Sequence, residues 1–448
     1  MRFTTTRARP NAQPPVSFTT ALFQGLAPDG GLYVPETIEA WPDHEIARLP
    51  RRTLTEIALR VLRPFTRGEL DPAVLEAVVV EALNFPIPLV EVSPRVYALE
   101  LFHGPTLAFK DVGARVMARM MAALHEARDP LTVLAATSGD TGSAVAHAFY
   151  RVPSTRVVIL YPDGRVSPTQ EAQLTMFNGE RANVRAYAVA GSFDDCHRLT
   201  RDAFGDADLR RGMRLTSANS VNVGRLLPQM VYYFHAFAQA AVVASSSRVF
   251  CTPSGNFGNL TAGLMAKRSG LPIDRFIAAT NINDVVPEYL STGRFLPRPS
   301  VQTLANAMDV GNPSNFQRMS WLYGGDLEMM RRDVAGVCAT DDDVRSTIRD
   351  VYETRGYLLD PHSAIAYRGL VGQDRREGQD RREGQERRDG QVGVFLATAH
   401  PAKFGEIVEP IIGRAVETPE PLARALALPR HIIRIDASLD AVKRILCG

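Results

Sequence analysis

The sequence predicts an α/β protein with mainly parallel sheets, preceded by a mainly helical N-terminal domain. Three observations lead there. From about residue 96, short apolar runs alternate with helical periodicity, the pattern of repeated strand–helix–strand units. Before that point, the apolar residues fall mostly at helical spacing. The chain has 448 residues, more than one compact core accommodates, so two or three structural units are expected.

Residues 1–95 form the expected N-terminal domain. LFQGLAPDGGLYVPETI is turn-rich. From Thr53 to Leu83, apolar residues recur at helical intervals through Leu54, Ile57, Val61, Leu62, Leu75, Val78, Val79 and Leu83. The proline-rich run FPIPLVEVSP then marks a boundary. Within the expected core, 96–415, the clearest strands are 131–136, 156–161, 248–253, 274–280 and 392–398. Helical patterns cover 112–127, 142–150, 224–243 and 259–268. The tail, 416–448, is expected to pack on the core, with RHIIRIDASLDAVKRILCG as a strand or turn followed by a short helix. Residues 372–391, GQDRREGQDRREGQERRDGQ, repeat every six residues without an apolar side chain. They read as a solvated, disordered insert.

Composition excludes several classes of protein. Hydrophobic residues make up 45% and charged residues 22%, a globular balance. No apolar run reaches the roughly 18–20 residues needed to cross a bilayer. The first ten residues have no apolar stretch, so no secretory signal is expected; their Arg and Thr content leaves an organellar address open. The setting expected is the cytoplasm. The four cysteines are scattered, without a CxxC pair, and the nine histidines make no HExxH motif, so neither metal nor redox dithiol is indicated. A net charge of +2 gives no case for nucleic acid or membrane partners.

Of the 51 basic residues only four are lysines: Lys110, Lys267, Lys403 and Lys443. Arg replaces Lys wherever a surface charge suffices, but not where an amine must lose its proton or form a Schiff base. Each remaining lysine is therefore a candidate amine. Lys110, in LFHGPTLAFKDVGA, stands at a helix start among apolar neighbours. Burial and the helix dipole both disfavour its ammonium form there.

Two strand–loop–helix segments form polar anion nests: Ser138, Gly139, Asp140, Thr141 and Gly142 after one strand, and Ser254, Gly255, Asn256, Phe257, Gly258 and Asn259 after another. Neither is a Walker A or GxGxxG loop. One such loop is often a tight turn. Two, with a candidate imine lysine, suggest a phosphate-bearing cofactor and an anionic substrate. Asn219, Ser220, Asn222 and Arg225 open a long amphipathic helix, where they either hold an anion or make an elaborate N-cap. Thr398 ends a strand, the position where open α/β sheets place ligands.

At these residues the chain resembles the threonine synthases, pyridoxal-phosphate enzymes of the tryptophan-synthase-β fold type, in their longer subclass with an N-terminal extension. GLYVPE, LFHGPTLAFKD, ATSGDTGSA, YPDGRVSPTQEAQLT, LTSANSVNVGRLLPQ, PSGNFGNLTAG, NINDVVPEYL and ATAHPAKF carry the resemblance, in order and across nearly the whole chain. It implies a two-lobed core of fold type II with pyridoxal 5′-phosphate between the lobes. Lys110 would be the catalytic, imine-forming lysine. Gly255, Asn256, Phe257, Gly258 and Asn259 would cradle the cofactor phosphate, with Thr398 by the ring nitrogen. Ser138, Gly139, Asp140, Thr141, Asn219, Ser220, Asn222 and Arg225 would face the substrate. The implied reaction turns O-phospho-L-homoserine and water into L-threonine and phosphate, the last step of threonine biosynthesis, in a monomer or homodimer. The alternative is a related phospho-lyase that releases 2-oxobutanoate, ammonia and phosphate. The chain departs from the family pattern at Asp163, where the family commonly carries Lys, and in the six-residue repeat.

Overall fold

A computed structural model describes residues 1–7, 14–125, 130–179, 182–241, 247–376 and 390–447. Its thirteen strands are β1 (Phe3–Thr5), β2 (Tyr33–Pro35), β3 (Leu89–Ser93), β4 (Val96–Glu100), β5 (Leu131–Ala136), β6 (Thr155–Pro162), β7 (Val184–Val189), β8 (Arg214–Ser217), β9 (Ser247–Pro253), β10 (Arg275–Thr280), β11 (Val334–Cys338), β12 (Gln391–Ala397) and β13 (Ile433–Ile435). They make two open sheets and one small pair. The larger sheet has the order β11-β10-β9-β12-β4-β3 and the smaller β13-β7-β6-β5-β8. Every pairing in these two sheets is parallel except β3 with β4. The central strands β5, β6, β9 and β12 are apolar and buried on both faces, as strands covered by helices on each side must be.

The N-terminal region is helical between Leu54 and Ala82, interrupted by a short connection. Thr53 and Glu56 cap the helix Leu54–Thr66 reciprocally, side chain to backbone, which fixes its start. Asp71 caps the helix Pro72–Ala82, whose proline sits in its first turn, where a missing N–H does no harm. Two features depart from the helical expectation. β1 pairs antiparallel with β2, and β3 joins the larger sheet ahead of residue 96. β1 and β2 have three residues each, too few for an alternating pattern to stand out, and β3 lies inside the proline-rich run read as a boundary.

The expected helix over 224–243 is broken. Val223–Leu226 is α-helical, Leu227–Gln229 is a 3-10 turn, and α-helix resumes over Met230–Ala240. Pro228 explains the break: its ring crowds the preceding turn and it has no N–H to donate. The helix Pro361–Arg376 extends into the repeat, and β12 begins at Gln391. Helical and strand structure therefore claim both ends of the segment read as an insert. The rest of that segment, 377–389, lies outside the described residues, as do the last residues of the patterns at 112–127 and 224–243. The tail forms β13 beside β7 and the helix Leu439–Cys447.

One hydrophobic cluster ties the three parts together. Phe18, Trp41, Leu62 and Val79 of the N-terminal region pack with Met117, Val133 and Ile159 of the smaller lobe and Tyr233, Phe250 and Phe276 of the larger. Separate clusters cover the outer faces of the two sheets. The helix Gly258–Arg268 lies against this shared core so closely that Gly263 has no room for a side chain. A Cβ there would stand 2.6 Å from Tyr233 Cζ and 2.7 Å from Phe276 Cε1. Gly263→Val is therefore expected to lower the unfolding free energy by about 1–3 kcal/mol, measured by urea denaturation.

Candidate active site

The carboxyl ends of β5, β8, β9 and β12 converge on one cleft of about 1360 Å³ between the sheets, lined by Lys110, Ser138, Asn219, Ser254 and Thr398 among others. Parallel strands bring this about, since each strand hands its following loop to the same edge of its sheet.

Lys110 is the first residue of the helix Lys110–Leu124. The loop before it is stitched to the end of β12. Leu101 N–H donates to Ala397 O at 2.9 Å, Phe109 N–H to Thr398 O at 2.8 Å, and His400 N–H to Leu107 O at 3.0 Å. Leu107 takes a left-handed conformation, φ +57°, to make that turn. Tyr232 OH anchors Phe109 O. Lys110 is thus fixed beside Thr398. Among the described residues its amine makes no hydrogen bond or ion pair. Burial pushes its pKa down to about 8; Asp140 opposes the fall, while Arg225 and Lys403 add to it.

The second nest follows β9. Phe257 adopts the left-handed conformation, φ +60° and ψ +11°, just before the helix Gly258–Arg268. Phe257, Gly258 and Asn259 line the cleft at the positive end of this eleven-residue helix, where backbone N–H groups without helical partners favour an anion. Gly255 is obligatory: a Cβ would lie 2.8 Å from Ala307 O and from Met308 Cα. Asn256 spans the cleft floor, donating to Ser220 Oγ at 2.8 Å and accepting from Ser314 N–H at 2.6 Å. Tyr233 OH holds the side-chain and main-chain oxygens of Asn259 at 3.0 and 2.9 Å. The amide nitrogen of Asn259 is buried without a partner.

The first nest is differently built. Thr137 Oγ1 accepts from Gly139 and Gly142 N–H at 2.9 and 2.8 Å, and Gly139 stands at φ +135° against the Gln170 side chain. Ser138, Asp140 and Thr141 line the cleft. Asp140, however, is ion-paired at 2.7 Å with Lys403, and Lys403 is fully buried. Burial alone would raise the Asp140 pKa; Lys403 and Lys110 more than reverse this and hold it well below the usual carboxylate range.

The residues after β8 divide. Ser220 and Arg225 line the cleft with Asn219. The Asn219 side chain also clamps Ala136, accepting from its N–H at 3.1 Å and donating to its O at 2.7 Å. Arg225 donates to Ala218 O at 2.6 Å, its Nε is buried without a partner, and burial lowers its pKa to about 10. Asn222 is different. It is fully buried, bonds Leu22 O, Ser217 O and Gly224 N–H, and is the N-cap of Val223–Leu226. Its amide holds the loop, not a ligand.

Sequence reasoning missed three residues of the site. Lys403 carried a signal in the scarcity of lysine. His362 lines the cleft with Nδ1 2.6 Å from Asp360, and its Nε2 accepts from Ala307 N–H at 3.2 Å. Asp309 also lines it, held by Thr303, Asn281 and Asn283; burial raises its pKa to about 7. Asp163, the departure noted above, accepts from Arg434 of β13 at 2.9 Å and anchors the tail.

Comparisons with known proteins agree with this geometry. Residues 80–386 match the pyridoxal-phosphate dependent enzyme family, residues 2–83 the threonine synthase N terminus and residues 379–446 the threonine synthase C-terminal model. The chain is 45% identical over 418 residues to threonine synthase of Haemophilus influenzae, covering 92% of both chains. It belongs to the threonine synthase family. The crystal structure of the Escherichia coli threonine synthase superposes with a TM-score of 0.91 at 40% identity, over 100% of this chain and 99% of that one. A pyridoxal-phosphate-bound threonine synthase from Brucella melitensis gives 0.88 at 36% identity, over 100% and 98%. The residues present fit the family's cofactor. The positive end of the helix Gly258–Arg268 and the unpartnered Asn259 amide suit a phosphate. Lys110 offers an amine of lowered pKa in the same cleft.

Two predictions follow from the lysines. In the apo protein, the Lys110 amine is expected to react with trinitrobenzenesulfonate with a midpoint near pH 8, read from the pH dependence of labelling at that residue by peptide mass spectrometry. Lys403→Met leaves Asp140 buried and unpaired, a loss of about 3–5 kcal/mol. The depressed Asp140 pKa stabilises the fold above its unfolded value of about 4, and that contribution fades as pH falls below it. Urea melts should therefore show the Lys403→Met deficit in full at neutral pH and narrowing in acid.

Proposed function

We propose that this cleft converts O-phospho-L-homoserine and water to L-threonine and phosphate, with Lys110 as its catalytic lysine. One observation carries the reading: an amine of lowered pKa, a phosphate nest and a strand-end hydroxyl line a single cleft in a threonine synthase fold. Pyridoxal phosphate, when bound, supplies a ring that takes up the electrons released from substrate carbon.

The chain's own residues do the rest. Gly255 to Asn259 hold the cofactor phosphate through backbone N–H groups and the Asn259 amide. Thr398 presents a hydroxyl, a weaker protonating partner than a carboxylate, toward the ring nitrogen. Lys110, whose amine gives up its proton more readily than a free lysine, takes the proton from substrate Cα and returns one later. Ser138 and Thr141 receive the substrate carboxylate at the start of the helix Asp140–Phe149; Gly139, buried with its N–H on Thr137 Oγ1, shapes the turn instead. Asp140 acts there through its backbone, because Lys403 occupies its side chain. Arg225 supplies buried positive charge beside Asn219 and Ser220.

The same reading divides the chain at 1–95, 96–415 and 416–448. It places the enzyme in the cytoplasm as a monomer or homodimer, without nucleic acid or membrane partners. Among the described residues no helix is long and apolar enough to cross a membrane.

Incubating the purified protein with pyridoxal phosphate and O-phospho-L-homoserine should release threonine and phosphate in equal amounts. Phosphate accompanied by 2-oxobutanoate would reassign the activity to a phospho-lyase. Lys110→Ala should lower threonine formation by at least about 10²–10⁴-fold and leave no borohydride-fixable cofactor on the protein.

A further inference from the structure

Behind the phosphate nest stands a cation without a counter-ion. Arg318, in the helix Phe316–Leu322, is fully buried. Its hydrogen bonds go to neutral oxygens: Nε to Tyr33 O at 3.0 Å, Nη1 to Ser220 O at 3.0 Å and Asn315 Oδ1 at 2.7 Å, and Nη2 to Val221 O at 2.6 Å. Among the described residues no carboxylate pairs with it. Burial alone depresses its pKa, to about 9. Taking a guanidinium out of water without an opposing charge is costly even when its donors are satisfied.

The groups that bond Arg318 are those that shape the nest. Ser220 Oγ accepts from Asn256 at 2.8 Å and from Asn315 at 3.2 Å. A Cβ on Gly258 would lie 3.3 Å from Asn315 Nδ2 and 3.5 Å from Ser220 Cβ. Ser220 and Asn315 thus touch the cation on one side and the nest on the other. An anion in the nest supplies the missing opposing charge, and because Arg318 is fully buried the attraction is screened less than between exposed charges.

We propose that Arg318 is a positioning residue that selects the phosphorylated cofactor: its buried charge, seated behind Ser220 and Asn315, draws a phosphate into the Gly255–Asn259 nest. This rests on the pyridoxal-phosphate reading of the cleft. It differs from a purely structural role in one respect. A clamp supports every ligand of the cleft equally, whereas a charge favours the ligand that carries the phosphate.

The test compares pyridoxal phosphate with pyridoxal, which lacks the phosphate. Both are titrated into apo wild type, Arg318→Gln and Arg318→Lys, following absorbance and thermal shift. Arg318→Gln should lose about tenfold or more of the preference for pyridoxal phosphate over pyridoxal, as expected for removing a charged partner. Arg318→Lys keeps the cation and should retain that preference to within about threefold, although it loses the planar fork. Equal weakening of both ligands in Arg318→Gln would overturn the inference and leave a structural clamp. If Arg318→Gln does not fold, Arg318→Lys decides: a retained preference supports the role of charge, and a lost one refutes it. A wild type that binds pyridoxal phosphate no better than pyridoxal would overturn the cofactor reading itself, a result distinct from a wild-type preference that Arg318→Gln leaves intact.

Discussion

Lys403 and Asp140 form an ion pair with almost no water around it, and the site is arranged about that pair. Asp140 comes from the loop after β5 in the smaller lobe, Lys403 from the turn after β12 in the larger. A buried pair of this kind contributes little net stability compared with apolar packing. It does forbid alternatives, since separating the lobes here would leave two bare charges in a dry interior. Lys403 also donates to Thr106 O at 2.9 Å, so it holds the Lys110 loop as well. One ammonium therefore sets where the smaller lobe, the larger lobe and the reactive lysine stand relative to each other.

The same economy of charge runs through the cleft. Lys110, Arg225 and Lys403 are all buried or half-buried basic groups; Asp140 is the acid that Lys110 and Lys403 share, while Arg225 feels Asp111. Burial first, and the repulsion of Arg225 and Lys403 after it, lower the Lys110 pKa to about 8, so that losing its proton is easier than for a free lysine. A site that binds two phosphate-bearing molecules benefits from this surplus, because the anions restore the balance. Backbone N–H groups then provide the close contacts, which need neither side-chain ordering nor a change of protonation.

Much of this was legible in the sequence. The five strands read from apolar runs are present to within a residue or two, because fully buried parallel strands have to be apolar throughout. Lys110 stood out through the rarity of lysine. Asn222 shows where local pattern stops. An asparagine before a helix serves equally as a cap or as a ligand, and only the position of Leu22, two hundred residues earlier, decides for the cap. His362, Asp309 and Arg318 lie in segments with no motif of their own, and their importance comes from what the fold places beside them. The short strands β1 and β2 were hidden for a related reason: three residues cannot display a period.

The join between the helix Pro361–Arg376 and β12 has an evolutionary consequence. β12 enters the larger sheet at Gln391 and reaches the cleft only beyond Ala397, about 20 Å further on at the rise of a parallel strand. The six-residue repeat falls at the entry end. Tandem copies of a short coding unit readily gain or lose members during replication. A change in the number of copies would alter chain length at the start of β12, the end of that strand opposite Thr398.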